Sequence, residues 1–155
     1  MTTDRPNIIA PPPILFAICV IAAAIVDHYR PLPIMNGQRD VRFATASLLS
    51  ALAVTIAATA RREMIAHKEH PNPYKPTNTI VESGPYRFSR NPIYIAFFIV
   101  AIAVGFFANS WWIVASIIPI FFLLHFGVIL REEQYLSSKF GETYEGYRRR
   151  VRRWI

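Results

Sequence analysis

The sequence predicts an all-α polytopic membrane protein with four transmembrane helices and a cytoplasmic C-terminal amphipathic helix. Three observations carry this expectation. Of the 155 residues, 53% are hydrophobic and only 17% charged, a balance that departs from that of soluble domains. The apolar residues gather in runs that approach the ~20 helical residues needed to cross a hydrocarbon core of about 30 Å, and the mean hydropathy is +0.27. The basic residues, which set the net charge at +7, sit at the ends of these runs instead of along one soluble face. That placement points to anionic lipid headgroups as partners and away from nucleic acid.

The chain divides as one membrane domain: two N-terminal spans over 1–60, a cytoplasmic loop over 61–91, a helical hairpin over 92–130 and a cytoplasmic tail over 131–155. The first apolar run extends from Ile14 to Val26, entered through Pro11, Pro12 and Pro13 and left through Asp27 to Pro31. Counted alone it is only about 20 Å long, so the helix needs upstream residues or a thinned bilayer. The preceding segment carries Asp4 and Arg5 and lacks the basic start and small-residue cleavage site of a signal peptide, so the run is expected to be retained. The lone Cys19 lies inside it and reads as packing, with no disulfide framework or cysteine metal cluster available.

The second run, Phe43 to Ala60, is rich in Ala, Ser and Thr. Small pairs such as Ser47 with Ala51 or Ala53 with Ala57 let transmembrane helices approach closely, so this span is expected to face other helices. From Arg61 to Arg90 the chain becomes polar, and Pro71, Pro73, Pro76 and Pro85 exclude one continuous helix. Asn91 followed by Pro92 marks a helix start, since Asn caps free amides and Pro fits the first turn. The third span therefore runs from Pro92 to Ala108, with Asn109 and Ser110 left for a tight turn before a fourth span from Trp111 to Leu130. Pro119 is expected to bend that helix, and Trp111 and Trp112 suit an interfacial aromatic belt.

Lys and Arg accumulate on the cytoplasmic side of short loops. The 61–90 segment carries Arg61, Arg62, Lys68, Lys75, Arg87 and Arg90, and the tail carries Arg131, Lys139, Arg148, Arg149, Arg150, Arg152 and Arg153. Four spans put both segments, and both termini, inside.

Two polar clusters then meet at the cytoplasmic ends of neighbouring spans: Gly84 to Tyr94, and Arg131 to Tyr147. Each admits a bland reading. Asn91 serves as a cap, Arg90 as a headgroup anchor, and Glu132 with Glu133 as a solvated helix exit neutralised by Arg131. His125 stands seven residues before Glu132, hence on nearly the same helical face, where an ionisable residue is either functional or satisfied by packing. His28, His67, His70 and His125 show no metal-ligand spacing, and no Gly-rich phosphate loop or nucleophilic triad is present. Beyond Gly141, helical spacing puts Tyr144, Tyr147, Val151 and Trp154 on one side with arginines around the other, a pattern that lies in the headgroup plane.

Gly84-Pro85-Tyr86, Arg90-Asn91-Pro92-Ile93-Tyr94, the pair Glu132-Glu133 and the run Phe140-Gly141-Glu142-Thr143-Tyr144-Glu145-Gly146-Tyr147 occur in one order. In these motifs the second half of the chain resembles the isoprenylcysteine carboxyl methyltransferase family and the related phospholipid N-methyltransferases. Two positions depart from the pattern: Asn91 stands where many members have His, and Ala96 where a Gly is common. The first removes a titratable group; the second adds a methyl to the pocket wall.

The resemblance implies an S-adenosylmethionine pocket at the cytoplasmic face, roofed by the tail and open sideways to lipid. It further implies methyl transfer to an amphipathic or lipid-like acceptor, a carboxylate, thiol or amine. Arg90 and Glu133 are then the expected catalytic residues. Tyr86, Arg90, Asn91, Tyr94, Glu132, Glu133 and Tyr147 are expected to bind the cofactor, one of the two acids taking its ammonium and Arg90 a carboxylate. His125, placed by helical spacing on nearly the same face as Glu132, joins this set. Two alternatives stand beside this reading: a nicotinamide-dependent membrane reductase of the steroid reductase type, and a non-enzymatic membrane interaction module.

Overall fold

The computed structural model describes residues 6–70 and 75–155, so Asp4, Arg5, Pro71 and Pro73 lie outside the described residues. The described chain is helical: α1 (Pro12–Tyr29), α2 (Arg39–Ala66), a short 3-10 helix (Gly84–Arg87), α3 (Pro92–Ala108), α4 (Trp111–Phe140) and α5 (Glu142–Arg150). By length and composition α1, α2 and α4 can cross a membrane, while α3 is a shorter apolar helix. Its 17 residues correspond to about 26 Å.

Prolines and an asparagine set three of these bounds. Pro12, a residue without an amide hydrogen to leave unpaired, opens α1, and Pro92 opens α3. Asn109 closes α3 in the left-handed conformation at φ 59°. Its side chain then accepts from the amides of Ile34 and Met35, at 3.1 and 3.0 Å, and donates to the Met35 carbonyl. Trp112 donates its indole N–H to the Arg30 carbonyl at 2.7 Å. The α1–α2 connection is thus fastened to the α3–α4 turn, at the end of the bundle opposite Asn91 and Pro92.

Two helices outrun their expected limits. The apolar pattern of α2 stops at Ala60, yet the helix continues to Ala66; its 28 residues span about 42 Å, more than a hydrocarbon core requires. The last turns of α2 therefore project beyond the apolar layer and carry Arg61, Glu63 and Met64 on helix instead of loop. Similarly, α4 passes Leu130 without interruption and ends at Phe140. Its ladder is disturbed twice. Pro119 conflicts with the carbonyl four residues earlier, and the α-helical pattern breaks after Ala115 before resuming at Ile117. Farther along, His125–Ile129 form a π-helical turn, whose Gly127 carbonyl accepts the Ile9 amide at 3.0 Å. The N-terminal segment is held beside it by Arg131, which donates to the Asn7 carbonyl at 2.8 Å.

Packing follows small residues. Ala46, Ala53 and Ala60, one every seventh position, are the buried positions of α2, and α2 packs chiefly on α3, where Ala96, Ala101 and Ala103 are also buried. Small side chains allow this close approach. The contact stripe runs through Ala53 as expected, while Ser47 and Ala51 are exposed. On the other side α1 rests against α4, and Leu15, Cys19, Ala101, Ile120, Leu124, Val128 and Ile129 form one core.

The tail does not continue as a single amphipathic face. Tyr144 and Tyr147 of α5 and the adjoining Val151 are buried against Ile80, Leu136 and Phe140. Val151 itself is extended, ending the helix. The chain turns there, and Trp154 inserts instead into the membrane-helix core beside Phe98, Phe121 and His125.

Candidate functional site

The segment joining α2 to α3 is shaped by one glycine. Gly84 has φ +58°, and a Cβ placed there would lie 2.6 Å from Cγ of Glu63. Only glycine meets both demands. Ser83 donates its hydroxyl to Glu63, fixing this turn on the projecting end of α2. Glu69, also buried, accepts from the amides of Asn78 and Thr79 at 2.7 Å each and gathers the preceding loop. The 3-10 helix that follows places Tyr86 beside α5, where the Tyr147 hydroxyl donates to the Tyr86 carbonyl at 2.9 Å. Burial first, and then the Glu132 charge, pushes the Tyr86 hydroxyl well above its usual range. Burial does the same to Tyr147. Both phenols stay protonated.

Ser89 to Asn91 then act as a dock for the C-terminus. The Arg90 amide donates to the Arg152 carbonyl at 3.0 Å. Asn91 Nδ2 and Ser89 Oγ both donate to the Arg153 carbonyl, at 2.9 and 3.2 Å. Asn91 occupies the cap position of α3, but its side chain makes no cap hydrogen bond. Its amide holds the tail.

The two acids of α4 have different surroundings. Glu133 is buried between two guanidinium groups: Arg90 Nη1 lies 2.9 Å from Oε1, and Arg153 closes a fork through Nε to Oε1 at 2.9 Å and Nη2 to Oε2 at 2.7 Å. Arg90 also donates to the Tyr144 hydroxyl at 3.4 Å. Glu132 faces no such pair. Both its oxygens accept from the hydroxyl of Tyr94, at 3.0 and 3.1 Å. The Arg90 side chain, 8% exposed, keeps its Nε buried with no hydrogen-bond partner among the described residues. A donor in that state is a standing demand for an acceptor.

These groups border a cavity of about 560 Å³, within the range of small-molecule sites. It crosses the foot of α3, from Ala57, Arg61 and Met64 on α2 to Ile129, Glu132, Glu133 and Leu136 on α4. Pro11, Pro12 and Pro13 contribute from the start of α1, and Tyr144 and Tyr147 from α5. Tyr86, Arg90, Asn91, Tyr94, Glu132, Glu133 and Tyr147, all singled out in the sequence, are brought together on its wall.

His125 is absent from that wall. Its ring stacks on Phe121 at 5.4 Å and lies near Trp154 at 6.4 Å. The π-helical turn accounts for the divergence from Glu132, because one inserted residue rotates everything beyond it by about 100°. Arg153 is the main participant that sequence reading left among the tail arginines; the end of α5 at Arg150, which turns it inward, has no marker in the local pattern. Among the described residues no group of three or more His, Cys, Asp or Glu could hold a metal ion.

A family model described as phospholipid methyltransferase matches residues 41–143. The chain belongs to the phospholipid methyltransferase family. The part of the chain matched to this family contains Tyr86, Arg90, Asn91, Tyr94, Glu132 and Glu133, whereas Tyr144, Tyr147 and Arg153 lie beyond it. Over 72 residues the chain is 35% identical to the cobalt-zinc-cadmium resistance protein CzcN of Cupriavidus metallidurans, covering 46% of this chain and 33% of that protein. Over 27 residues it is 59% identical to an uncharacterized protein of Haemophilus influenzae, covering 17% of this chain and 43% of that one. The chain thus spans less than half the length of either relative. No solved structure matches. Membership in this methyltransferase family and the apolar helices together make the chain an integral membrane protein.

Proposed function

We propose that the cavity binds S-adenosylmethionine and that the protein transfers its methyl group to an amphipathic or lipid-like acceptor bearing a carboxylate, thiol or amine. The observation that carries this is the Arg90 side chain on the wall of a cavity that also holds Glu132. A guanidinium and a carboxylate that has no cation partner among the described residues suit the carboxylate and ammonium of an amino-acid moiety. Of the two acids, Glu132 is the one for the ammonium, since Glu133 is already occupied by Arg90 and Arg153. Tyr86 and Tyr94 offer aromatic faces, which attract cations, and Tyr147 closes the site beside Tyr86. The family assignment favours this reading over a nicotinamide-dependent reductase.

When bound, the cofactor supplies a methyl group on a positively charged sulfur. The protein's part is to hold and orient, and fixing two partners in line removes much of a bimolecular barrier. Arg90 and Glu133 contribute as one rigid unit, and Tyr94 keeps Glu132 from turning away. Tyr144 and Tyr147 shield this unit from water. The acceptor's apolar part fits the side of the cavity formed by Pro12, Pro13 and Ala57, where α1 rests on α4 and α2 on α3. A carboxylate or thiolate needs no base there near neutral pH, whereas an ammonium would first lose a proton.

In the same reading α3 also crosses the membrane, giving four spans, and the basic segments around Arg61 and Arg148 lie on the cytoplasmic side with both termini. Titration of the detergent-solubilised chain with labelled S-adenosylmethionine tests the assignment. Arg90→Ala and Glu132→Gln are each expected to weaken binding about 10- to 100-fold, the loss of a charge-assisted hydrogen bond. Affinity unchanged in both variants overturns it.

A further inference from the structure

Glu133 is shared unequally between its two guanidinium partners. Arg153 engages it as a fork, one donor on each oxygen at 2.9 and 2.7 Å. Arg90 is paired with Oε1, through Nη1 at 2.9 Å, and its Nε is left unpaired. A carboxylate facing one arginine closes two parallel bonds to it, because the guanidinium fork matches the spacing of the two oxygens. Without Arg153, both oxygens of Glu133 would be open to Arg90, and the Arg90 Nε would turn onto the acid.

Resting on the cofactor reading above, we infer that Arg153 is a positioning residue for ligand binding. By occupying the fork of Glu133 it holds Arg90 off a second contact there and keeps the Arg90 guanidinium, on the cavity wall, available to the carboxylate of the cofactor. The backbone supports this division. Arg153 is set in place by Ser89 and Asn91, the residues flanking Arg90, and by the Arg90 amide bond to Arg152. Trp154 locks the next position between Phe98 and Phe121, with ring centroids 5.4 Å from each. Both arginines are therefore referred to one piece of backbone.

Two nucleosides separate positioning from mere support of the fold. S-adenosylhomocysteine carries the amino-acid carboxylate, and 5′-methylthioadenosine lacks it. In the full chain in detergent, Arg153→Gln is expected to weaken S-adenosylhomocysteine about tenfold or more while 5′-methylthioadenosine stays within about twofold. Arg153→Lys, which keeps the charge but not the fork, is expected to show the same selective loss, and it carries the test alone if Arg153→Gln does not fold. Parallel loss of both nucleosides, or no loss of either, overturns the inference. So does full recovery of S-adenosylhomocysteine binding in Arg153→Lys. Failure of the wild-type chain to bind either nucleoside overturns the cofactor reading and this inference together; equal affinities in wild type and Arg153→Gln overturn only the inference.

Discussion

The hydroxyl of Tyr94 donates to both carboxylate oxygens of Glu132, at 3.0 and 3.1 Å, tying the first turn of α3 to α4 beyond its π-helical turn. A single donor shared by two oxygens fixes the plane of the acid as well as its position. Tyr94→Phe keeps the ring and its packing against Phe97 but frees Glu132 to rotate. The expected result is a loss of cofactor affinity of about 5- to 30-fold, with helix content by circular dichroism unchanged. Equal affinity in the variant would show that Glu132 needs no restraint or takes no part.

Gly84 is a second place where one atom decides. Alanine there must hold φ +58° and put its Cβ 2.6 Å from Glu63 Cγ. Gly84→Ala is expected to destabilise the chain by roughly 1–3 kcal/mol, from backbone strain and a forced shift of the Glu63 side chain that breaks its bond from Ser83. Gly37→Ala is the control, since Gly37 shares the positive φ, at +78°, but has no atom within 4 Å of the added Cβ. Thermal melts in detergent compare them, and equal melting temperatures would remove the packing part of the argument.

Where chemistry was written in local signals, the sequence disclosed the structure. Asn91-Pro92 and Asn109-Ser110 bound α3 because the fit of Pro to a first helical turn and the left-handed turn at Asn109 are local preferences, and the site's polar residues Arg90, Asn91 and Tyr94 flank the first of these boundaries. The ends of α2 and α4 were less legible. Arg61 and Arg131 end the apolar pattern, but charged residues such as Arg, Glu and Lys are good helix formers, so the backbone helix carries on into the aqueous layer. The placement of His125 depended on an inserted residue in the α4 ladder, paired with Ile9 from far along the chain. Arg153 was hidden for a similar reason: it resembles its four basic neighbours, Arg148, Arg149, Arg150 and Arg152, until the helix ends and the chain folds back onto Ser89 and Asn91.

His125 supplies a prediction of the opposite sign. Its Nδ1 is buried without a partner, and its ring stacks on Phe121 outside the cavity. His125→Phe keeps an aromatic face and removes an unsatisfied polar atom, which ordinarily carries a penalty of about 1–3 kcal/mol. Cofactor affinity is expected to stay at the wild-type value and thermal stability to hold or rise. A marked fall in affinity would return His125 to the site.

The phenol of Tyr147 links stability to pH. Burial raises its pKa above the ordinary value of 10.0, and the protonated hydroxyl donates to the Tyr86 carbonyl at 2.9 Å. A raised pKa in the folded state means that above about pH 10 the unfolded chain gives up a proton that the folded chain keeps, so stability falls as pH rises. The contribution of this group is complete below that point and lost through the folded-state value. Tyr147→Phe removes the hydrogen bond, lowering stability by about 1 kcal/mol at neutral pH. It also removes one titrating group, so its stability should decline less steeply than wild type above pH 10, with Tyr86 and Tyr144 still contributing. Melting curves from pH 8 to 11 would show the two proteins converging at the alkaline end. Parallel curves across that range would mean that the Tyr147 hydroxyl does not hold its proton on folding.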